Sequence, residues 1–585
     1  MQNAKTPRTT WDIELPDVNA TEHLAMDLAA SIGPGDLVTL SGDLGAGKTT
    51  LARAILRYLA GDANLEVPSP TFTMMQAYQL PQLNVVHADL YRVTTVAELT
   101  ELGWDEAGEN AAVLVEWPDR AGSLLQPDRL DIALNLAPGL GPTHRVVRLT
   151  GHGAWTARLA QLRGARALLD AAGLGSALRL HMQGDASHRA YERLYLNEGT
   201  AILMKMPKTT GEPPLHHGRT YSAIAHLADN VRPFAALDRA LRDRGFSAPE
   251  IFAADHENGL LILEDLGNDL FVTGSPPAPI EARYAAAIDL LIALQSFDLP
   301  DTLPVAPRVE HQIPIYDIDA FLIEVELLYD WYLPFRGANL RDAASRETFL
   351  TLWRYALAEL IPEPKTWVLR DFHSPNLLWL GQRQGVARVG LLDFQDAVMG
   401  PPAYDVAALL MDARVDISED LELKLLSRYA LGRKARDPSF DPARFAARYM
   451  ILGAQRATKI LGIFARLDRR DRKPQYLQHL PRVWRYLMSA FAHPALAELK
   501  EWYLANVPAP EMPAPAAPAL DVELAGSGVY VEQEFSFETD EPGLEPSEPA
   551  PEQEATEEPQ GPSAAEPEEP AENAAPDVPE STSQP

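Results

Sequence analysis

The chain has 585 residues, too many for one hydrophobic core, and a formal net charge of −31. No Lys or Arg follows Lys500, whereas residues 501–585 hold 21 Asp and Glu and 16 of the 49 prolines, so residues 1–500 carry a mild −10. Zero cysteines exclude a disulfide framework, a thiolate zinc site and a catalytic Cys. The proline-rich acidic end has few large apolar side chains and cannot offset the entropy of folding, which predicts a disordered tail over 506–585. The start, Met1 to Arg8, has no apolar stretch of the signal-peptide kind, and no apolar run reaches the ~18 residues of a membrane span. A cytoplasmic protein without membrane contact is the expectation, and the acidic total argues against bulk nucleic-acid binding.

Residues 8–150 alternate short β-rich runs with helical patterns, which predicts an α/β domain with a mainly parallel sheet. The expected strands are Leu37–Leu40, Val85–Ala88, Ala112–Glu116, Leu130–Leu134 and Val146–Leu149, and the expected helices Thr21–Ile32, Thr49–Leu59 and Val96–Leu102. Ala157–Ala172 reads as a helical connector. Alternation at Leu178–Leu180, Tyr191–Leu196 and Thr200–Met206 then predicts a small antiparallel sheet. From about Ile280 the apolar spacing turns helical, as in Tyr284–Leu294, Ala320–Tyr332, Phe349–Leu360 and Ala446–Ala465. The sheet lobe followed by a helical lobe is the outline of a two-lobed, protein-kinase-like α+β domain.

Gly42-Asp43-Leu44-Gly45-Ala46-Gly47-Lys48-Thr49, followed by Thr50, matches the phosphate-cradling pattern GxxxxGK[ST], directly after an apolar strand and before a helix. Backbone N–H groups at such a turn face anionic phosphates, the lysine reaches the outer ones, and the Thr49 hydroxyl is placed to hold Mg²⁺. A second acidic group must complete a metal site, and Asp89 and Glu116, each at a strand end, are the candidates. Ser69-Pro-Thr71-Phe lies where a nucleotide-sensing switch would sit, with Thr71 set to sense the outermost phosphate. The guanine-reading Asn-Lys-x-Asp pattern is absent, so ATP is expected.

Further along, Arg370-Asp371-Phe-His-Ser-Pro-Asn376 is followed by Leu391-Leu-Asp393-Phe-Gln395. Phosphoryl transfer to a hydroxyl needs a carboxylate to accept its proton and oxygen ligands to hold Mg²⁺ against ATP. Asp371 fits the base, Asn376 and Asp393 the metal ligands. Gln183–Ser187 lies between two β-like runs where a phosphate-covering turn belongs, Lys205 stands where a lysine would pair ATP phosphates, and Leu261–Leu266 fits the hinge between lobes.

These motifs carry two resemblances. GDLGAGKTT (Gly42–Thr50), SPTFT (Ser69–Thr73), HADLYR (His87–Arg92), ELG (Glu101–Gly103) and VEWPD (Val115–Asp119) resemble the TsaE family, the P-loop ATPase of bacterial tRNA threonylcarbamoyladenosine biosynthesis. The resemblance implies ATP hydrolysis in support of the other subunits of a tRNA-modifying complex, contact with tRNA being indirect. It assigns Lys48 and Thr49 to phosphate and Mg²⁺, Glu116 to the metal site and Asp89 to the neighbourhood of the outermost phosphate. Residues about 165–495 are similar to the aminoglycoside phosphotransferase-like kinases. Within these, Leu369–Leu380, Gly390–Arg414, Asp330–Phe335 and Gly453–Leu467 look most like the anomeric amino-sugar kinases of cell-wall recycling, which act on N-acetylmuramate or N-acetylglucosamine. One departure is Leu369, where the wider superfamily has His two residues before the catalytic Asp. Asp405 matches a structural Asp that ties down the catalytic loop, and Arg456 and Lys459 are placed to meet a muramate carboxylate.

The expected organisation is an ATPase domain over 8–153, a connector over 154–175, a kinase domain over 176–505 with its small lobe at about 176–270 and its large lobe at about 271–505, and the acidic tail. The alternatives are a kinase for a small alcohol or an aminoglycoside, or a regulatory protein in which one module has lost its chemistry.

Overall fold

The computed structural model describes residues 8–511, apart from 82, 102, 105–107, 109, 183–188, 207–211, 339–341 and 361–364. The expected phosphate-covering turn at Gln183–Ser187 and the acidic tail from 512 onward lie outside the described residues. Among the described residues no helix is long and apolar enough to cross a membrane.

The first module is built on β1 (Thr9–Leu15), α1 (Val18–Ala29), β2 (Leu37–Ser41), α2 (Lys48–Ala60), β3 (Met75–Gln79), β4 (Asn84–Asp89), α3 (Val96–Glu101), β5 (Ala112–Glu116), β6 (Arg129–Leu136) and β7 (Arg145–His152). The strands form one sheet in the order β1-β7-β6-β2-β5-β4-β3. Its centre is parallel: β2 runs beside β5 and β6, and β4 beside β5. The strand ends carrying the glycine loop, Glu116 and Asp89 therefore open on the same edge of the sheet, with Leu40 level with Glu116 and Glu116 level with Asp89. The edge strands β1 and β3 were not among the expected strands. The β3 pattern is half-exposed to fully exposed, so it has no apolar stripe to read, and β1, whose side chains alternate between half-buried and exposed until Leu15, pairs only with β7. Helix α1 begins three residues before expectation because the Asp17 carboxylate accepts the Ala20 N–H at 2.8 Å and caps it there.

Helix α4 (Trp155–Ala171) follows. Its first half, through Trp155, Leu159 and Leu162, packs into the ATPase core with Leu24, Leu28 and Leu149. Its second half, through Ala165 and Leu169, packs with Leu194, Leu203 and Ile262 of the next sheet. That sheet, antiparallel throughout, comprises β8 (Leu178–Met182), β9 (Ala190–Tyr195), β10 (Thr200–Lys205), β11 (Ile251–Asp255) and β12 (Leu260–Glu264) in the order β11-β12-β10-β9-β8. Its other face, through Met204, Leu261 and Leu263, joins the core of the large lobe together with Phe234 and Leu237 of α5 (Arg232–Arg242).

The large lobe is helical, as its spacing predicts. Helices α6 (Glu281–Leu294), α7 (Ile318–Leu327) and α8 (Ala343–Leu357) share one core with α9 (Pro442–Arg469), a 28-residue helix buried for most of its length, and of the three it is α7 that lies directly against α9. A Cβ at Gly462 would run into the Leu327 backbone, so only glycine lets α9 approach α7 this closely. The approach brings Lys459 of α9 to within 2.7 Å of Glu324 of α7.

Between the modules runs a chain of buried charges. Asp27 of α1 accepts from Arg166 of α4 at 2.7 Å and is ion-paired with Arg179 of β8. Arg179 Nε donates to Glu192 of β9 at 2.6 Å, and the far Glu192 oxygen is ion-paired with Lys205. Tyr58, near the end of the P-loop helix α2, donates to the Arg179 carbonyl at 2.5 Å. Asp27, Arg179, Glu192 and Lys205 are all at most 4% exposed. Burial alone would raise the Glu192 carboxyl, but the flanking Arg179 and Lys205 win and hold it at about 2, against an ordinary 4.5.

Because Glu192 is depressed in the fold, its stabilisation is complete above about pH 4.5 and drains away as pH falls towards 2. Glu192→Leu takes from the buried Lys205 the carboxylate it pairs with and leaves Arg179 its pair with Asp27, a loss of ~3–5 kcal/mol for a broken buried pair. It should lower the thermal unfolding midpoint at neutral pH and reduce the decline on acidification, as measured by calorimetric melts across the acid range. An unchanged midpoint would show that the charge chain contributes nothing to stability.

Candidate active sites

In the first module, three glycines of the loop have positive φ (Gly42 +138°, Gly45 +78°, Gly47 +105°), conformations that suit glycine. A Cβ at Gly42 would also run into the Leu134 carbonyl. The loop delivers Lys48 and Thr49 into the first turn of α2, where free backbone N–H groups and the helix dipole favour an anion. The Lys48 ammonium, 5% exposed, donates to the carbonyls of Gly42 at 2.8 Å and Asp43 at 2.9 Å, and lies 3.8 Å from the centre of the Trp117 ring. Burial lowers its pKa, opposed by the charges of Glu116, Asp89 and Asp43. The Thr49 hydroxyl donates to Glu116 at 3.0 Å. The structure therefore brings Lys48, Thr49 and Glu116 together.

Asp89 is tied to the expected switch: one carboxylate oxygen accepts from Thr71 at 2.7 Å and Ser69 at 2.9 Å, and the other accepts the Tyr91 N–H at 3.0 Å. Two further residues had no role in the sequence reading. His87, fully buried, meets the second Glu116 oxygen at 3.0 Å and so fixes that carboxylate. Arg145 of β7 donates to the Ala46 carbonyl at 3.1 Å and ties the loop to a strand two places from β2 in the sheet. His87 lies inside the HADLYR motif and was within reach of sequence reasoning. Arg145, 99 residues from its partner, was not.

In the second module the strand Thr366–Val368 leads into the loop carrying Asp371 and Asn376, and Val389–Leu391 leads to Asp393. The two come together: the Asn376 amide donates to the Asp371 carbonyl at 3.0 Å and to Asp393 at 3.4 Å. Arg370 and Asp393 both have left-handed backbone, φ +67° and +59°, strain placed beside the two carboxylates. Asp405 holds the loop by accepting the N–H groups of Leu369 at 2.7 Å and Arg370 at 3.0 Å. Burial pushes its carboxyl up to about 7 against the pull of those two donors. Asp371 goes the other way. Burial would raise it, but Arg456, His373, Lys459 and Arg370 hold it at about 2. The Arg456 guanidinium is 3.9 Å from Asp371 and donates to the Arg370 carbonyl at 2.9 Å.

Lys205 differs from its expected place. In the β9–β10 register Lys205 is level with Ala190 and Leu203 with Glu192, so Lys205 shares the Glu192 face, the one packed on α4. Its ammonium ends on Glu192, in the chain leading to Asp27, while its neighbour Met204 faces the large lobe. The cation that meets Asp393 is Arg189, at 2.6 Å, two residues before Tyr191 and on the same face as Met204. Two placements suggested for substrate contact are also internal. Lys459 is committed to Glu324, and Tyr332 and Leu333 of the Asp330–Phe335 stretch lie in the core, the Tyr332 hydroxyl donating to the Pro508 carbonyl at 2.8 Å.

Among the described residues no three His, Cys, Asp or Glu side chains are grouped to hold a metal ion by themselves. Mg²⁺ does not require such a group, since it takes one or two protein oxygens and fills its octahedron with phosphate and water. Thr49 with Glu116, and Asn376 with Asp393, fit that demand.

Comparison with known proteins divides the chain as its two sites do. Residues 15–139 match the family described as threonylcarbamoyl adenosine biosynthesis protein TsaE, and residues 181–447 match the phosphotransferase enzyme family. An N-acetylmuramate/N-acetylglucosamine kinase of Caulobacter vibrioides is 40% identical over 355 residues, 58% of this chain and 95% of that protein. Its counterpart in Pseudomonas aeruginosa is 34% identical over 335 residues, 55% of this chain and 87% of that one. A tRNA threonylcarbamoyladenosine biosynthesis protein TsaE of Rickettsia typhi is 38% identical over 116 residues, 20% of this chain and 80% of that one. The chain is thus a fusion that belongs to the TsaE family in its N-terminal part and to the N-acetylmuramate/N-acetylglucosamine kinase family in the part that follows.

Proposed function

We propose that the chain is bifunctional: its P-loop module hydrolyses ATP in support of a complex that installs threonylcarbamoyl on tRNA adenosine beside the anticodon, and its kinase module transfers phosphate from ATP to the anomeric hydroxyl of N-acetylmuramate or N-acetylglucosamine. The observation that supports both halves together is that each module holds a complete acid and hydroxyl or amide set at its strand ends, Thr49 with Glu116 and Asn376 with Asp393. A module kept only for docking would have no physical need of either.

In the P-loop module, the glycine loop and the α2 N-terminus receive the phosphates, and Lys48 exchanges its loop carbonyls for phosphate oxygens. Thr49 and Glu116 would hold Mg²⁺. Asp89, bound to Thr71 and Ser69, links the nucleotide to the segment 69–73, which is the face we assign to the partner subunits. In the kinase module Mg²⁺, bound at Asn376 and Asp393, supplies charge neutralisation on the phosphates. Asp371 accepts the proton of the sugar hydroxyl as that oxygen attacks, and Arg456 at its side keeps it ionised and ready.

Three outcomes follow. Asp371→Ala should abolish sugar phosphorylation, by ~10³-fold or more for a lost base and positioning group, and spare tRNA modification, while Lys48→Ala should do the reverse. Loss of both activities in each folded variant would overturn the two-module reading. Incubating the chain with ATP and a panel of amino sugars, amino alcohols and aminoglycosides should give phosphate at the anomeric position of the sugars, and phosphate on an alcohol or antibiotic instead would replace the substrate assignment. Since Asp371 sits at about 2, the base should contribute no inflection to the kinase pH–rate profile above about pH 4. An inflection near 7 that vanishes in Asp405→Asn belongs to the loop carboxyl, which gains its charge as pH rises.

A further inference from the structure

The kinase module presents a substitution of parts. Sequence position puts the phosphate-pairing cation on β10, at Lys205, but the strand register turns that side chain to the wrong face of the sheet, onto Glu192. The opposite face, shared by Tyr191, Arg193, Ile202 and Met204, looks towards the large lobe, and Tyr191, Ile202 and Met204 pack against its core. Arg193 on that face pairs with Asp265 at 2.7 Å, beside the hinge strand β12, and is thereby committed. Arg189 continues the same alternation one step further, at the mouth of the cleft. Its guanidinium is 2.6 Å from Asp393, its side chain is 10% exposed, and Asp396 and Asp371 also bear on its charge.

We propose that Arg189 is the phosphate-binding cation of the kinase module, and that its pair with Asp393 is a resting contact which ATP with its metal ion displaces. This rests on the kinase reading of the module. A guanidinium suits the role: it stays charged when buried, and its planar fork matches two phosphate oxygens where an ammonium is a point charge. Its resting place is also where a cation is wanted, since the carboxylates of Asp393, Asp396 and Asp371 all act on the Arg189 guanidinium there. Asp393 would hold the metal ion, and the guanidinium released from it would pair with phosphate oxygens instead. Lys205 meanwhile is a structural cation, holding Glu192 for Arg179 and the ATPase module.

The test uses the full-length chain carrying Lys48→Ala, so that the kinase cleft is the nucleotide site under observation, and titrates it with a non-hydrolysable ATP analogue in a calorimeter, with and without Mg²⁺. Arg189→Ala should weaken analogue binding by tenfold or more and raise the ATP KM of sugar phosphorylation by a similar factor. Arg189→Lys should recover part of that loss, and Lys205→Met should lower the melting temperature yet leave the analogue affinity within twofold. Should Arg189→Ala fail to fold, Arg189→Gln carries the same expectation. Analogue binding unchanged in the Arg189 variants, or lost in a folded Lys205→Met, overturns the proposal while the kinase reading stands. A parent chain that neither binds the analogue nor phosphorylates a sugar overturns the kinase reading and this proposal with it.

Discussion

The buried run Asp27, Arg179, Glu192, Lys205 decides how this molecule is put together. Ion pairs of this kind repay their desolvation only when every member is satisfied on both sides, and here each carboxylate has two cations: Asp27 has Arg166 and Arg179, Glu192 has Arg179 and Lys205. Arg179 and Glu192 are the middle links, each paired on both sides. The run crosses from the ATPase helix α1 to the central strands of the kinase small lobe, so the two modules share one electrostatic unit. The lysine that this unit consumes is the one the kinase would otherwise have had for ATP, and the cleft meets its need for a cation from the other face of the sheet.

The two catalytic centres rest in comparable ways. Lys48 leans on the carbonyls of its own loop and the ring of Trp117, and Arg189 leans on Asp393. Each cation is buried and already partnered, so a nucleotide replaces existing contacts instead of meeting bare charge. The carboxylates are graded by their surroundings in the same spirit. Asp371, among Arg456, His373, Lys459 and Arg370, is held ionised, whereas Asp405, with two backbone donors and deep burial, is pushed to about 7. The first is thereby kept in the ionised form that can take up a proton, while the second fixes the loop through the two N–H groups it accepts.

Much of this was legible in the sequence wherever the signal is local. The glycine loop, Thr49, Asp371, Asn376 and Asp393 sit in short motifs whose spacing follows from the geometry of a strand, a turn and a helix, and the structure brings them together in two sets. Lys205 shows where such reading fails: a strand reverses its faces every residue, and which face meets the cleft is set by pairing with β9 and by what packs behind, neither of which spacing reports. Arg189 was hidden for the complementary reason, as an arginine at a strand start is usually solvated and its partner is 204 residues away in the chain. Arg456 and Lys459 stood at the right distance along a helix to meet substrate, but Glu324 and the Arg370 carbonyl, supplied by other elements, had already claimed them.

Helix α4 gives Trp155, Leu159 and Leu162 to one core and Ala165 and Leu169 to the other. A connector that is only tethered can be cut, lengthened or replaced without touching what it joins. This one cannot, because both of its halves are buried: a cut at its start takes Trp155, Leu159 and Leu162 from the ATPase core, and a cut at its end takes Ala165 and Leu169 from the small lobe of the kinase. Any stand-alone version of either enzyme must therefore carry the helix with it, and the partner left behind has to find a substitute for the half it loses.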